Sequence, residues 1–474
     1  MPWILLICQP LPRTSTPGVL AAGHEPMKVT VFGGGGFRAP MLDRSLAWGA
    51  NAIGVDEVVF HDTSEPRLRM IADVLHAMDD ERGGGLPRRT TTDLNDALDG
   101  AGAVLAAIRV GGNAGRIVDE IVPVELGVLG QETVGPGGIS FALRTLPVMR
   151  EMASAVAARA PGAWFLNFTN PAGLVTEALR DILGDRAVGI CDSPISLGRA
   201  VAAALGRSPR ALEFDYAGLN HLGWLLEVRE DGRDLLPELL ASERAAEVEE
   251  VRLFGLERIR ELGMIPNEYL AYYEQTDAIV GRMRQRGATR GQLVQEQQLG
   301  FFDQRYDTPE DALLGWRRAR DARHAGYMDE AGGDRAAEAY AASTNDPADE
   351  GYGAVAVGFL RAVATDASER LILNTANAGR MPFLDDDAVV ETPNLVGRNG
   401  PSPVPVGELL PAQRDLLARV KEVERLTLRA SSERSAELAI DAIARHPVVG
   451  SRPLAERIFA GYLERQPGFA NLFD

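Results

Sequence analysis

Sulfur and imidazole are scarce in this chain, which has two cysteines, Cys8 and Cys191, and six histidines in 474 residues. Two cysteines cannot build a disulfide framework, and a free Cys191 belongs in a reducing compartment, with the cytoplasm as the default. Long hydrophobic runs are also missing. No stretch approaches the ~20 apolar residues that a membrane helix needs. Positive charge is in deficit, 49 Lys and Arg against 67 Asp and Glu, for a net charge of −18. That balance excludes a nucleic-acid partner and leaves a small anionic substrate dependent on its own local cluster of arginines. Internal repeats and low-complexity linkers are absent too.

What remains is a globular chain with 45% hydrophobic residues, long enough for roughly two or three domains or one elaborated two-domain enzyme. Residues 1–26 carry a short apolar run without a basic leader, and "MKVTVFGGGG" begins cleanly at Met27, so 1–26 read as an unstructured extension. From Met27 short apolar runs alternate with helical stretches. "KVTVFGG", "EVVFHD", "AGAVLAAIRVGG", "AWFLNFTNP" and "AVGICD" read as strands, with "SEPRLRMIADVLHAM" and "RTLPVMREMASAVAARAP" as helices between them. This alternation predicts an α/β fold over 27–192, a Rossmann-type parallel sheet whose ligand lies beyond the carboxyl ends of the strands. The remainder, 193–474, reads as one mixed α+β domain packed on that sheet. It holds the strand-rich "FDYAGLNHLGWLLEVRED", the amphipathic helix "ASERAAEVEEVRLFGLERIREL" and a helical pair in 412–448, with a mobile acidic surface segment over 328–353.

Gly33, Gly34, Gly35 and Gly36 follow the first strand, where glycine lets the backbone turn tightly and approach a pyrophosphate held at the next helix N-terminus. The run departs from GxGxxG at Arg38. Asp62 ends the second strand 27 residues after Gly35, a carboxylate placed for a ribose diol, which favours an NAD-type cofactor over one with a 2′-phosphate. Arg109 and Arg116, Gln131 and Glu132, and Asn167 and Asn170 all fall at strand ends or glycine turns on the expected cleft side. Each alone reads equally well as a cap or turn residue. Cys191 in "GICDSP" and His221 in "GLNHLGW" leave two readings open: ordinary core residues, or a soft and a borderline ligand of one open catalytic metal site.

The segments "VFGGGGFRAP", "RVGGNAGRIVDE", "GVLGQETVGPGG", "ALRTLPV", "NFTNPAGLVTEA", "GICDSPISLG", "GLNHLGW", "IPNEYLAYY" and "DDDAVVETPN" occur in that order. In order and spacing they resemble glycoside hydrolase family 4, from Met27 nearly to the C-terminus. "ALRTLPV" and "NFTNPAG" are most similar to its 6-phospho-β-glucosidase branch. The resemblance implies a Rossmann-type domain followed by a lactate/malate-dehydrogenase-like α+β domain, bound NAD, a divalent metal such as Mn²⁺, and a homodimer or homotetramer. It also implies the NAD-dependent exception to paired-carboxylate glycosidases. Oxidation at C3 acidifies the C2 proton, a base removes it with metal assistance, the C1 leaving group is eliminated, water adds and the hydride returns. Carried over by motif position, Cys191 and His221 are the metal ligands, Tyr269 is the C2 base and Asp192 a general acid for the departing oxygen. Gly33, Gly34, Gly35, Phe37, Asp62, Arg67 and Asn167 form the cofactor set, and Arg109, Arg116, Glu132 and Asn170 the substrate set.

Two departures from the family pattern bear on specificity. Asp192 stands where β-acting members more often carry asparagine, which resembles the α-acting branch. Glu350, Gly351 and Tyr352 stand where the family has an arginine followed by paired glycines, which weakens the case for a phosphorylated sugar. A glycosidase for α-linked or unphosphorylated glycosides is therefore the runner-up. An NAD-dependent 2-hydroxyacid-type dehydrogenase would share the sheet, but it gives Cys191 and His221 no task. A non-catalytic nucleotide sensor is the third reading.

Overall fold

The structure is a computed structural model and describes residues 26–325 and 351–474. The expected extension at 1–26 up to its last residue, the acidic stretch at 328–353 up to its last three residues, and Glu350 lie outside the described residues. Six strands form the parallel half of the sheet: β1 (Met27–Phe32), β2 (Val55–His61), β3 (Arg88–Thr91), β4 (Ala101–Ala106), β5 (Trp164–Asn167) and β6 (Ala187–Gly189). Seven more follow: β7 (Glu213–Leu219), β8 (Leu222–Glu230), β9 (Arg233–Asp234), β10 (Ile265–Pro266), β11 (Glu369–Ala376), β12 (Val389–Gly397) and β13 (Gly400–Pro403).

The parallel half runs β3-β2-β1-β4-β5-β6, the doubly wound order with its reversal between β1 and β4. β3, "RRTT", is an addition to the five expected strands. It is a polar edge strand without the apolar run that marks the others. The second half does not pack on this sheet as expected. It extends it edge to edge, in the order β6-β11-β12-β7-β8-β10, with antiparallel pairing throughout.

One row of paired residues crosses almost the whole sheet. It passes Thr91, His61, Phe32, Ala106, Asn167, Gly189, Asn374, Glu391, Gly218 and Gly223. The row lies at the carboxyl ends of the parallel strands, so the segments leaving it all open on one side. At the seams with β6 and β7, pairing is confined to single contacts, Gly189 with Asn374 and Gly218 with Glu391. Asn374 and Glu391 are opposite each other in the β11–β12 pair, and the Asn374 amide donates to Glu391 Oε1 at 2.8 Å.

Helices cover both faces. Glu65–Arg82 matches the helix expected from Ser64, and its Leu68, Ile71, Val74, Leu75 and Met78 lie in one apolar core. The helix expected from Arg144 begins earlier, at Gly135, because Pro136 suits a first helical turn. The amphipathic helix expected over 241–262 is broken. A 3₁₀ turn, Glu243–Glu247, is followed by Glu249–Phe254 and Leu256–Leu262, separated by Gly255 at φ 89°. The C-terminal helical pair is Pro411–Ser432 and Ala436–Arg445, turning at Arg434 with φ 52°.

A methyl group at Gly189 would come within 2.4 Å of Thr176 Oγ1 and 2.8 Å of Asn374 Cβ. The Gly189→Ala variant is therefore expected to lose about 1–3 kcal/mol of stability through forced separation of β6 from β11. A lower urea midpoint with an unchanged slope would register that loss.

Candidate active site

The glycine turn leaves the row at Phe32. Its amides are turned inward: Gly33 and Gly34 N–H donate to His61 O at 3.0 and 2.8 Å, Gly36 donates to Gly33 O at 2.8 Å, and Gly35 donates to Asp62 Oδ2 at 3.1 Å. Asp62 Oδ1 accepts from Ser64 N at 3.0 Å, so this carboxylate ties the turn to the end of β2. Gly33 has φ 82°, and a Cβ there would sit 2.6 Å from Ala107 O; at Gly34 it would sit 2.6 Å from Phe60 Cβ. The backbone at these positions thus lies closer to its neighbours than any side chain allows, and helix Ala39–Ile53 starts from this turn beyond the carboxyl end of β1. This cradle fits a dinucleotide.

The rest of the expected cofactor set is placed unevenly. Phe37 is buried between Phe301 and Trp316, and its carbonyl accepts from the Trp316 indole at 3.0 Å. Arg67 is exposed on helix Glu65–Arg82, its guanidinium 4.3 Å from the centre of the Phe302 ring. Asn167 is fully buried and spends its amide on its own loop. Nδ2 donates to Thr169 O, Ala172 O and Thr176 Oγ1, and Oδ1 accepts from Thr169 N. Asn170 is in that loop, joined to Pro171 by a cis peptide bond.

Beyond β4 lies a cluster of guanidinium groups. Arg109 Nη2 is 2.6 Å from Glu132 Oε2 and Arg116 Nη1 is 3.1 Å from Glu132 Oε1. Arg116 Nε also donates to Glu120 Oε1 at 2.7 Å. Arg323, on helix Pro309–Ala325, and Arg38 act on the same carboxylate. Burial alone would raise the Glu132 pKa, but Arg109, Arg116 and Arg323 hold it well below the carboxylate range. Burial, then the neighbouring Arg38 and Arg116, push Arg323 down to about 9. The expected arginine pair is thus part of a larger cluster, with Glu132 as its internal counter-ion.

Beside this cluster are Cys191, two residues beyond β6, and His221, whose field includes Glu132 and Arg38. His221 is the second residue of the two-residue β7–β8 turn and has φ 62°, a region that non-glycine residues occupy only where their surroundings hold them. Its ring stacks on Tyr269, centroids 3.8 Å apart and planes 2° apart, and its Nδ1 lies 3.0 Å from Thr133 Oγ1. Tyr269 lies in the 3₁₀ turn Glu268–Leu270, fixed by Asn267 Oδ1, which accepts its N–H at 3.0 Å. Burial lowers the His221 pKa to about 3, which keeps the imidazole neutral.

Carboxylates gather behind the thiol. Ser193 Oγ donates to Glu268 Oε1 at 2.8 Å, and Glu391 Oε1 accepts from Asn374 at 2.8 Å and Asn220 at 3.4 Å. Asn220 Oδ1 in turn accepts from Ala172 N at 3.0 Å, linking the His221 turn to the Asn167 loop. Glu391 Oε2 is buried without a hydrogen bond, and burial above all pushes this acid up to about 8. Burial, with Glu391, Asp192 and Glu268 adding to it, drives the Cys191 thiol well above its ordinary value. A corner so rich in acidic groups, with a neutral imidazole beside it, fits a divalent cation. Among the described residues no three His, Cys, Asp or Glu side chains converge as a closed metal cage. Cys191 and His221 would therefore form an open site, completed by substrate oxygens or water.

The family profile described as "Family 4 glycosyl hydrolase" matches residues 28–207, and that for its C-terminal domain matches 216–449. This chain belongs to glycosyl hydrolase family 4. A 6-phospho-alpha-glucosidase of Leptotrichia buccalis is 29% identical to it over 93% of this chain and 98% of its own length. A 6-phospho-beta glucosidase of Thermotoga maritima, solved with manganese, NAD⁺ and glucose-6-phosphate, is 26% identical, with TM-score 0.75 over 94% of this chain and 99% of that one. A malate dehydrogenase from Plasmodium falciparum, 10% identical with TM-score 0.50 over 88% of this chain and 99% of that one, shares the fold alone.

In this family 4 hydrolase the sequence left Arg38, Thr133, Glu268, Arg323 and Glu391 unassigned, although all but Arg323 stand inside the quoted motifs. Arg323 carries no local signal, because its helix reads as a charged, solvated one. "ALRTLPV" has a structural task. Arg144 makes a buried two-bond pair with Asp119, at 2.8 and 2.7 Å, and donates to Ser140 Oγ at 2.9 Å. Replacing it, as in Arg144→Met, would strand the Asp119 charge and is expected to cost about 3–5 kcal/mol. Denaturant titration measures this, and a variant within 1 kcal/mol (roughly the value of an exposed pair) would rule it out.

Proposed function

We propose that this chain is a 6-phosphoglucosidase working with NAD and a divalent metal, Mn²⁺ first, and that its substrate is a 6-phospho-β-glucoside. The observation that carries the phosphate is the pairing of Arg109 and Arg116 with the single carboxylate of Glu132, with Arg38 and Arg323 near enough to add to the positive field on it. Guanidinium groups in excess of their counter-ions suit a phosphate dianion, which they bind through paired hydrogen bonds.

In this reading residues 27–192 hold the nucleotide, with Asp62 and the helix Ala39–Ile53 facing it, and residues 193–474 supply most of the substrate and metal site. Cys191 and His221 would hold the metal. When bound, NAD⁺ would take up and return the C3 hydride, and the metal would polarise the sugar's C2 and C3 oxygens. Tyr269 removes the C2 proton, its ring oriented by the stack on His221. Asp192 protonates the departing oxygen. A reducing cytoplasm suits the free Cys191 thiol.

The β assignment is supported by the "ALRTLPV" and "NFTNPAG" motifs. A second reading, an α-linked substrate, is favoured by Asp192. It directly precedes helix Ser193–Leu205 without using its side chain as a cap, which leaves the carboxyl group available beside Cys191.

The test offers aryl α- and β-glucosides, each with and without a 6-phosphate, to metal-stripped protein supplied with NAD⁺ and Mn²⁺. Aglycone release from the phosphorylated β-substrate, lost with EDTA and in Tyr269→Phe, is the expected outcome. Release from the α-substrate instead would favour the second reading, and NADH accumulation on a hydroxy acid without release would reject both. Arg323→Gln is expected to raise KM for the phosphorylated substrate at least about tenfold, the value of roughly one charged hydrogen bond. An unchanged KM would remove Arg323 from the phosphate site.

A further inference from the structure

Two neighbours hold the His221 ring. Tyr269 fixes its plane, and Thr133 Oγ1, at 3.0 Å from Nδ1, fixes its rotation. What Thr133 can offer to Nδ1 depends on where its own hydroxyl proton goes. Thr133 Oγ1 also lies 2.9 Å from Gln131 Oε1, and that oxygen already accepts the backbone N–H groups of Thr133 at 2.6 Å and Val134 at 2.7 Å. An atom that receives two N–H groups is an acceptor, so the hydroxyl proton of Thr133 points to it. A hydroxyl has one proton. Toward His221 it therefore presents only a lone pair, and the partner atom Nδ1 must carry the hydrogen.

We propose that Thr133 and Gln131 are positioning residues that lock His221 in the tautomer with hydrogen on Nδ1, so that Nε2 keeps a lone pair for a divalent metal. The inference rests on the reading of Cys191 and His221 as metal ligands. The opposite tautomer would set two lone pairs against each other across 3.0 Å and place a hydrogen where the metal must bind. The Gln131 oxygen receives donors from the segment that opens helix Gly135–Arg159, so the proton order is set by backbone rather than by another mobile side chain. Gln131 and Thr133 flank Glu132, so one short segment serves the metal corner on one side and the arginine cluster on the other.

The test uses the full-length, metal-stripped protein with Mn²⁺ as the probe, its free and bound forms counted by electron paramagnetic resonance. Thr133→Val keeps the shape and removes the hydroxyl, and it is expected to weaken Mn²⁺ binding about 10–100-fold, as loss of a ligand's outer partner does. Thr133→Ser is expected to restore it, and NAD⁺ binding by both variants reports an intact fold. Long-range proton–nitrogen spectra of the imidazoles, with the His221 signal assigned through His221→Gln, read the tautomer directly and need no folded Thr133 variant. Hydrogen on Nδ1 in the wild type supports the proposal. Hydrogen on Nε2, or a Thr133→Val protein that binds Mn²⁺ as tightly as the wild type, overturns it. A wild type with hydrogen on Nδ1 that binds no Mn²⁺ would overturn the metal reading itself, and with it the purpose assigned to the tautomer.

Discussion

The geometry of this protein depends on the row of backbone pairing that carries one continuous sheet across two differently built halves. At the seam the row narrows to Gly189, Asn374, Glu391 and Gly218, two glycines outside and two hydrogen-bonded polar residues inside. The glycines let the strands approach, and the Asn374–Glu391 bond satisfies one buried donor and one acceptor, while Asn374 Oδ1 and Glu391 Oε2 stay buried without a hydrogen bond. Cys191 follows one side of this seam and His221 the other. Their relation is set by the sheet itself, and Asn220 tightens it by joining Glu391 to the Asn167 loop.

Around that seam the cleft divides by charge. Acidic groups collect behind Cys191, where Glu391 and Glu268 lie deep and a cation would be welcomed. Guanidinium groups collect on the β4 side, around Glu132. The two fields adjoin where Arg38 lies near Asp192 and His221 near Glu132. On the proposed reading a phosphorylated sugar would be oriented by them, because the reversed pose places phosphate against carboxylates. The chain's overall negative charge makes the arginine cluster a local exception, and it is built from side chains far apart in sequence.

How much of this was legible in the sequence follows from the range of each interaction. The apolar runs that become β1, β2, β4, β5 and β6 announce themselves, since strands buried on both faces must be hydrophobic along their length. β3 is a polar edge and carries no such signal. Cys191 and His221 stood out by rarity, and the nine motifs located them, but the edge-to-edge joining of the halves left no local trace. Asn167 was marked correctly as a residue at a strand end, yet only coordinates reveal that its amide is consumed by its own loop. Arg323 was hidden because its partners lie about two hundred positions away. The break at Gly255 escaped because the apolar spacing on either side continues in phase.

Glu132 has a consequence beyond holding arginines in place. In the proposed phosphate site it would be a tethered anion, and a tethered group acts at a high effective concentration. Any incoming ligand competes with it for the same guanidinium hydrogens. A singly charged carboxylate or a neutral hydroxyl offers these arginines nothing that Glu132 does not already supply, whereas a dianion does. On the proposed reading the pocket would be biased against weak anions before any sugar is recognised, by a threshold built from its own chain.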